Sequence, residues 1–211
     1  MAVIKAIPFK KILPPLVPYI AIGIGFLIFH SAWLTVLGYH AGMILVLLLS
    51  NTRPPLKTVF KGNHFWIPVI TVLVGACSGV VLYLLWPYVS LPPDINVFIR
   101  SLGLSGVSWL VFIAYFSLIN PFIEEYYWRG YLGSNNKRIT TNDMLFSGYH
   151  LVVLAGLIGN IWLVVVFCGL IFGAWFWRQI NRLNGGLLAS VVSHLTADTA
   201  IVLTIFYFSV K

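Results

Sequence analysis

The chain has 211 residues, 60% hydrophobic and 9% charged, with a mean hydropathy of +0.95 and a formal net charge of +8. That composition excludes an ordinary soluble domain and predicts an all-α fold, a polytopic membrane helix bundle. The basic residues are spread over short loops and form no continuous stripe, so no nucleic acid is expected as a partner. They suit anchoring at an anionic lipid bilayer instead.

Apolar runs predict about seven transmembrane helices, within a range of six to eight, at roughly 13–30, 34–50, 65–89, 102–130, 143–158, 160–178 and 187–209. Lys5, Lys10 and Lys11 open the chain without a small-residue cleavage site behind them, so no removable signal peptide is expected. His30-Ser31 is a weak break between the first two helices, and Tyr39-His40 dilutes the second. Both histidines read as polar residues of helix interfaces. Asn51–Pro55 is turn material with a basic anchor, and Trp66 and Trp86-Pro87-Tyr88 suit the aromatic belts at the two membrane faces. Leu91-Pro92-Pro93-Asp94 ends the third span, and no regular helix should cross it. Cys77 and Cys168 lie in apolar runs too far apart to suggest a disulfide or a metal pair. Further on, Thr141-Asn142-Asp143 offers a helix N-cap. Gly169 and Gly173 have the spacing that allows close helix approach, and Asn184-Gly185-Gly186 turns the chain into the last helix.

With seven spans and a cytoplasmic amino terminus, eleven basic residues fall inside, Arg178 and Arg182 among them as anchors of one loop, and two, Arg100 and Lys211, outside. The expectation is a single integral membrane domain over 1–211 in a prokaryotic plasma membrane. The sequence carries no signal for oligomeric state.

The chemistry concentrates at Asn120-Pro121-Phe122-Ile123-Glu124-Glu125-Tyr126-Tyr127-Trp128-Arg129. Only five residues of the chain are acidic, and two are adjacent here at the end of an apolar run. Ionisable groups within a membrane segment mark a working site by default. Glu125 and Arg129, four apart with the acid first, form the expected ion pair. Glu124 points about 100° away and has no partner within its own helix, so it is the carboxylate free for chemistry. Pro121 should bend the helix just before the pair, because it removes a backbone donor and crowds the Ser117 carbonyl. Phe146 and His150 share a helix face, as do His194 and Asp198. Measured from the predicted cytoplasmic ends, Glu124, His150 and His194 each lie about eight residues deep, roughly 12 Å at about 1.5 Å per residue. Three helices thus bring a carboxylate and two imidazoles to one level near the cytoplasmic side.

Three motifs, Glu124-Glu125-x-x-x-Arg129, Phe146-x-x-x-His150 and His194-x-x-x-Asp198, occur in that order on separate predicted spans. Together they resemble the CAAX protease and bacteriocin-processing (Abi, CPBP) family of glutamic intramembrane proteases. The resemblance covers about residues 120–198 and implies a catalytic helical core at 102–209. It implies hydrolysis of a peptide bond by a Glu124-activated water shared with His150, with no cofactor. His194 would bond the developing oxyanion and Asp198 would steady it. Glu125 and Arg129 would be structural, and Phe146 would pack beside the active imidazole. One departure is Asp198, where many relatives carry Asn; an ionised Asp can orient His194 but cannot donate to an oxyanion. The implied substrate is a membrane-anchored or lipid-modified peptide cut near a terminus. Prenylated carboxyl termini, leader peptides and sorting signals all occur in the family, and a short prokaryote-like chain fits the latter two better.

Three rival readings stand beside this one. Glu124, His150 and His194 could ligate zinc in a membrane metalloprotease, although His-Glu-x-x-His is missing. The same groups could relay protons in a transporter, although no polar residues lead on to the opposite face. A non-catalytic immunity or scaffold protein could use the same fold, although the motif residues are intact.

Overall fold

The computed structural model describes residues 9–211, with side chains from Leu13 onward. Lys5 and the side chains of Lys10 and Lys11, part of the orientation signal, lie outside the described residues. The structure is 79% helical, and among the described residues there are no strands, so the all-α bundle expected from composition is what forms.

Helix α1 (Phe9–Ile22) continues as a π turn (Gly23–Ile28) and is followed by α2 (Ala32–Leu49) and α3 (Trp66–Leu85). A short α4 (Ile95–Ser101) precedes α5 (Gly106–Glu124), which continues as a π-helix (Glu125–Tyr131). The chain ends with α6 (Thr141–Leu154), α7 (Asn160–Asn184) and α8 (Leu188–Val210). Among the described residues, five stretches are long and apolar enough to cross a bilayer: Ala32–Leu49, Trp66–Tyr88, Gly106–Tyr131, Asn160–Asn184 and Leu188–Val210. A shorter apolar helix spans Leu13–Ile28. Their outward faces carry large exposed apolar side chains, such as Leu48, Leu73, Leu110 and Phe172. This is an integral membrane protein whose apolar faces need lipid.

The division between the first two helices falls at the predicted break. His30 takes a positive φ of 46°, and the Ser31 side chain caps α2 by accepting from the Leu34 amide at 3.3 Å. The helix expected over 102–130 is shorter at its start and has an extra neighbour. Gly103 and Gly106 adopt φ of +80° and +49°, a conformation that glycine enters freely. They separate α4 from α5. The helix expected to end at residue 178 runs on to Asn184, where Gly185 in the left-handed region terminates it. Arg178 and Arg182 are therefore helical residues rather than loop anchors. The N-cap of α6 is Thr140, one residue earlier than expected, in a capping box with Asp143.

The close helix approach assigned to Gly169 and Gly173 does not occur, because a side chain at either position would meet open space. It occurs instead at Gly75 and Gly79 of α3. A Cβ at Gly75 would strike the backbone of Ser193 and the Thr196 hydroxyl, and one at Gly79 would strike Ala200. Side chains then bridge the two backbones: Thr71 donates to the Ala189 carbonyl at 3.0 Å and Thr196 to that of Val72 at 3.1 Å. This seam fixes the axial position of α8, and with it His194 and Asp198.

Candidate active site

Pro121 cannot donate to the Ser117 carbonyl, and three residues later the α-helical repeat gives way to a π repeat that closes with Leu132 N–H bonding the Tyr127 carbonyl at 2.9 Å. Such wide turns recur at functional sites because they redirect side chains without ending the helix. Glu124 is the last residue of the α repeat and Glu125 the first of the π repeat. Both are buried, at 2% and 0% exposure, which is costly unless their oxygens are partnered.

The two carboxylates have different partners. Glu124 Oε1 accepts from the Tyr149 hydroxyl at 2.7 Å and the Tyr39 hydroxyl at 2.8 Å. Its Oε2 has no hydrogen bond and lies 3.7 Å from His194 Nε2. Glu125 Oε1 lies 3.0 Å from Arg129 Nη1 and accepts from His194 Nδ1 at 3.0 Å. The Arg129 contact is close in charge but poorly aligned for a hydrogen bond, since neither terminal guanidinium nitrogen has a bonded partner. The guanidinium instead rests on Phe146, 3.8 Å from the ring centroid.

His194 sits among three carboxylates. Its Nδ1 faces Glu125, and its Nε2 lies 3.4 Å from Asp198 Oδ1 and 3.7 Å from Glu124 Oε2. The Trp177 ring stacks on it at 4.5 Å between centroids, tilted by 23°. The short orienting bond on His194 thus comes from Glu125 rather than Asp198. Asp198 is itself held by Asn120, whose Nδ2 donates to Oδ2 at 2.8 Å.

His150 joins the cluster from α6. Its Nδ1 donates to the Phe146 carbonyl at 2.9 Å, which fixes the tautomer and leaves Nε2 as the acceptor of a neutral ring. The imidazole stacks on Tyr149, the residue bonded to Glu124, at 4.2 Å between centroids. Phe146 stands edge-on to both imidazoles, at 4.9 Å from His150 and 6.3 Å from His194. Phe146 therefore neighbours both imidazoles and the Arg129 guanidinium, while Glu124, Glu125 and Asp198 converge on His194. Among the described residues, no group of three His, Cys, Asp or Glu side chains is arranged to hold a metal ion.

Sequence reasoning assigned no role to Tyr39, Asn120, Tyr149 or Trp177, and it read His40 as an interface residue. His40 is buried and bridges Tyr115, at 2.9 Å, to Asn120, at 3.0 Å. The available signal was Tyr39-His40 in the middle of an otherwise apolar helix. The arrangement leaves one buried carboxylate oxygen, Glu124 Oε2, unbonded beside an imidazole.

Residues 106–200 fit the family model described as Type II CAAX prenyl endopeptidase Rce1-like. No curated protein and no solved structure matches the chain.

Proposed function

From the fit of residues 106–200 to the Rce1-like CAAX prenyl endopeptidase model, we propose that the chain cleaves a lipid-modified peptide near its carboxyl terminus with Glu124 as the base. The family is one of peptidases, so the open questions are which groups act and on what. The observation that carries the reading is the asymmetry of Glu124. Two tyrosines hold Oε1, while Oε2 stays unbonded beside His194.

A water between Glu124 Oε2 and His150 Nε2 would lose a proton to the carboxylate as its oxygen attacks the scissile carbonyl. The unbonded Oε2 leaves the carboxylate an open oxygen to accept that proton. His194 Nε2 would donate to the developing oxyanion, held in place by Glu125 on its other nitrogen. Such preorganised donation is often the largest catalytic contribution. Asp198 would act on His194 as an orienting charge. The protonated Glu124 then returns its proton to the leaving amine. The substrate would be held by the bilayer through its lipid and would enter between helices, since the cluster is enclosed by the bundle. In this reading 1–211 is one membrane domain with its amino terminus in the cytoplasm, and the core at 102–209 opens toward that side.

The test is hydrolysis of a farnesylated, internally quenched peptide ending in Cys-aliphatic-aliphatic-X by the full chain in liposomes. Glu124→Gln should lower kcat by about 10² to 10⁴-fold with unchanged folding, and a chelator should have no effect. Loss of activity on chelation would replace this reading with the zinc enzyme.

A further inference from the structure

Helix α2 lies outside the matched residues 106–200, yet it sends two adjacent buried side chains into the cluster. Tyr39 donates to Glu124 Oε1 at 2.8 Å and also contacts Asn120 Oδ1. His40 Nε2 lies 3.0 Å from the same Asn120 oxygen, and Asn120 passes the connection on to Asp198 at 2.8 Å. We propose that Tyr39 and His40 are positioning residues of the reaction: Tyr39 fixes Glu124 by Oε1 so that Oε2 is the working oxygen, and His40, through Asn120, aims Asp198 at His194. The inference rests on the reading of Glu124 as base.

Donor counting supports it. The Asp198 carboxylate can only accept, so the Asn120 amide must turn its nitrogen toward Asp198 and its oxygen toward α2. His40 Nε2 must then donate to that oxygen, with Nδ1 accepting from the Tyr115 hydroxyl at 2.9 Å. The single hydroxyl proton of Tyr39 faces two acceptors, Glu124 Oε1 and Asn120 Oδ1. A charged acceptor forms the stronger bond, so the proton sits on Glu124 while that group is ionised. With Tyr39 and Tyr149 both donating to Oε1, Oε2 is left as the oxygen facing His194, so Tyr39 holds the carboxylate in one working orientation. A residue that merely fills space between α2 and α5 would not set that orientation.

The experiment uses the full chain in liposomes with the same farnesylated peptide. Tyr39→Phe, which removes only the hydroxyl, should lower kcat about tenfold and leave KM within about twofold, as expected when the base is no longer held in its working orientation. His40→Leu should do the same, and His40→Gln, which can still donate to Asn120, should restore most of the rate. Tyr19→Phe removes another interhelical hydroxyl, bonded to the Leu145 carbonyl at 2.6 Å, and should leave kcat unchanged. Wild-type kcat in Tyr39→Phe, or equal rates in the two His40 variants, overturns the inference while an inert Glu124→Gln leaves the base reading standing. An active Glu124→Gln overturns both. If the wild type does not cut the peptide, the infrared carboxylate band lost in Glu124→Gln decides the matter: a shift of that band in Tyr39→Phe supports the inference, and an unmoved band overturns it.

Discussion

Replacing Glu125 by Gln separates its two contacts. Gln keeps an oxygen that can accept from His194 Nδ1, now 3.0 Å from Glu125, but it deletes the charge that Arg129 faces at 3.0 Å. Arg129 is only 8% exposed, and its terminal nitrogens have no hydrogen-bonded partner to replace that charge. Breaking a buried ion pair by neutralising one member costs about 3–5 kcal/mol. The stacking on Phe146 survives in both states and so does not offset the loss. Glu125→Gln should therefore unfold at distinctly lower denaturant in detergent micelles. Adding Arg129→Met should recover most of that loss, because replacing a whole buried pair with apolar groups is close to neutral. The assay is the unfolding midpoint of the two single variants and the double variant. The reasoning fails if Glu125→Gln is as stable as the wild type, or if the double variant is no more stable than Glu125→Gln.

The helix seam and the loop clamp give two more expectations. Gly75→Ala and Gly79→Ala push a methyl into the α8 backbone and should each cost about 1–3 kcal/mol, whereas Gly169→Ala and Gly173→Ala enter open space and should be neutral or slightly stabilising by unfolding midpoint. Arg178 meets Asp143 through two nitrogens, at 2.7 and 3.1 Å, and also bonds the carbonyls of Asn136 and Arg138. Arg178→Met should leave the Asp143 charge buried and the loop before α6 untied, seen as faster cleavage between residues 132 and 140 in limited proteolysis. Arg178→Lys should not rescue it, since a single ammonium cannot replace the guanidinium fork.

What could be read from the sequence followed from periodicity and scarcity. Uninterrupted apolar length revealed most spans, and the rarity of acids made Glu124 and Glu125 conspicuous. The (i, i+4) rule identified the Arg129 contact, and residue counting brought His194 to the level of Glu124, whose Oε2 lies 3.7 Å from its Nε2. What stayed hidden was tertiary. Gly169 and Gly173 have the same spacing as Gly75 and Gly79, and only the partner helix decides which pair is pressed against a backbone. Arg178 looked like a loop anchor because a buried charge is invisible until its partner, 35 residues away, is known. Tyr39 and His40 sit 85 and 80 residues from Glu124 and Asn120. No local pattern links residues that far apart.

The adjacency of Glu124 and Glu125 explains why such distant residues are needed. Two carboxylates on consecutive residues start with the same backbone and nearly the same depth, and the sequence distinguishes them only through Arg129, four residues after Glu125. The partners do the rest. Glu125 receives a guanidinium and an imidazole, which commits its charge to holding neighbours in place. Glu124 receives two neutral hydroxyls, from α2 and α6, on one oxygen only. A neutral donor orients a carboxylate without matching its charge, so the second oxygen stays able to take a proton. Were a lysine or arginine to stand where Tyr39 stands, Glu124 would become a second Glu125. The surroundings of Glu124 are therefore written on helices that carry neither carboxylate, while Glu125 takes its guanidinium from its own helix.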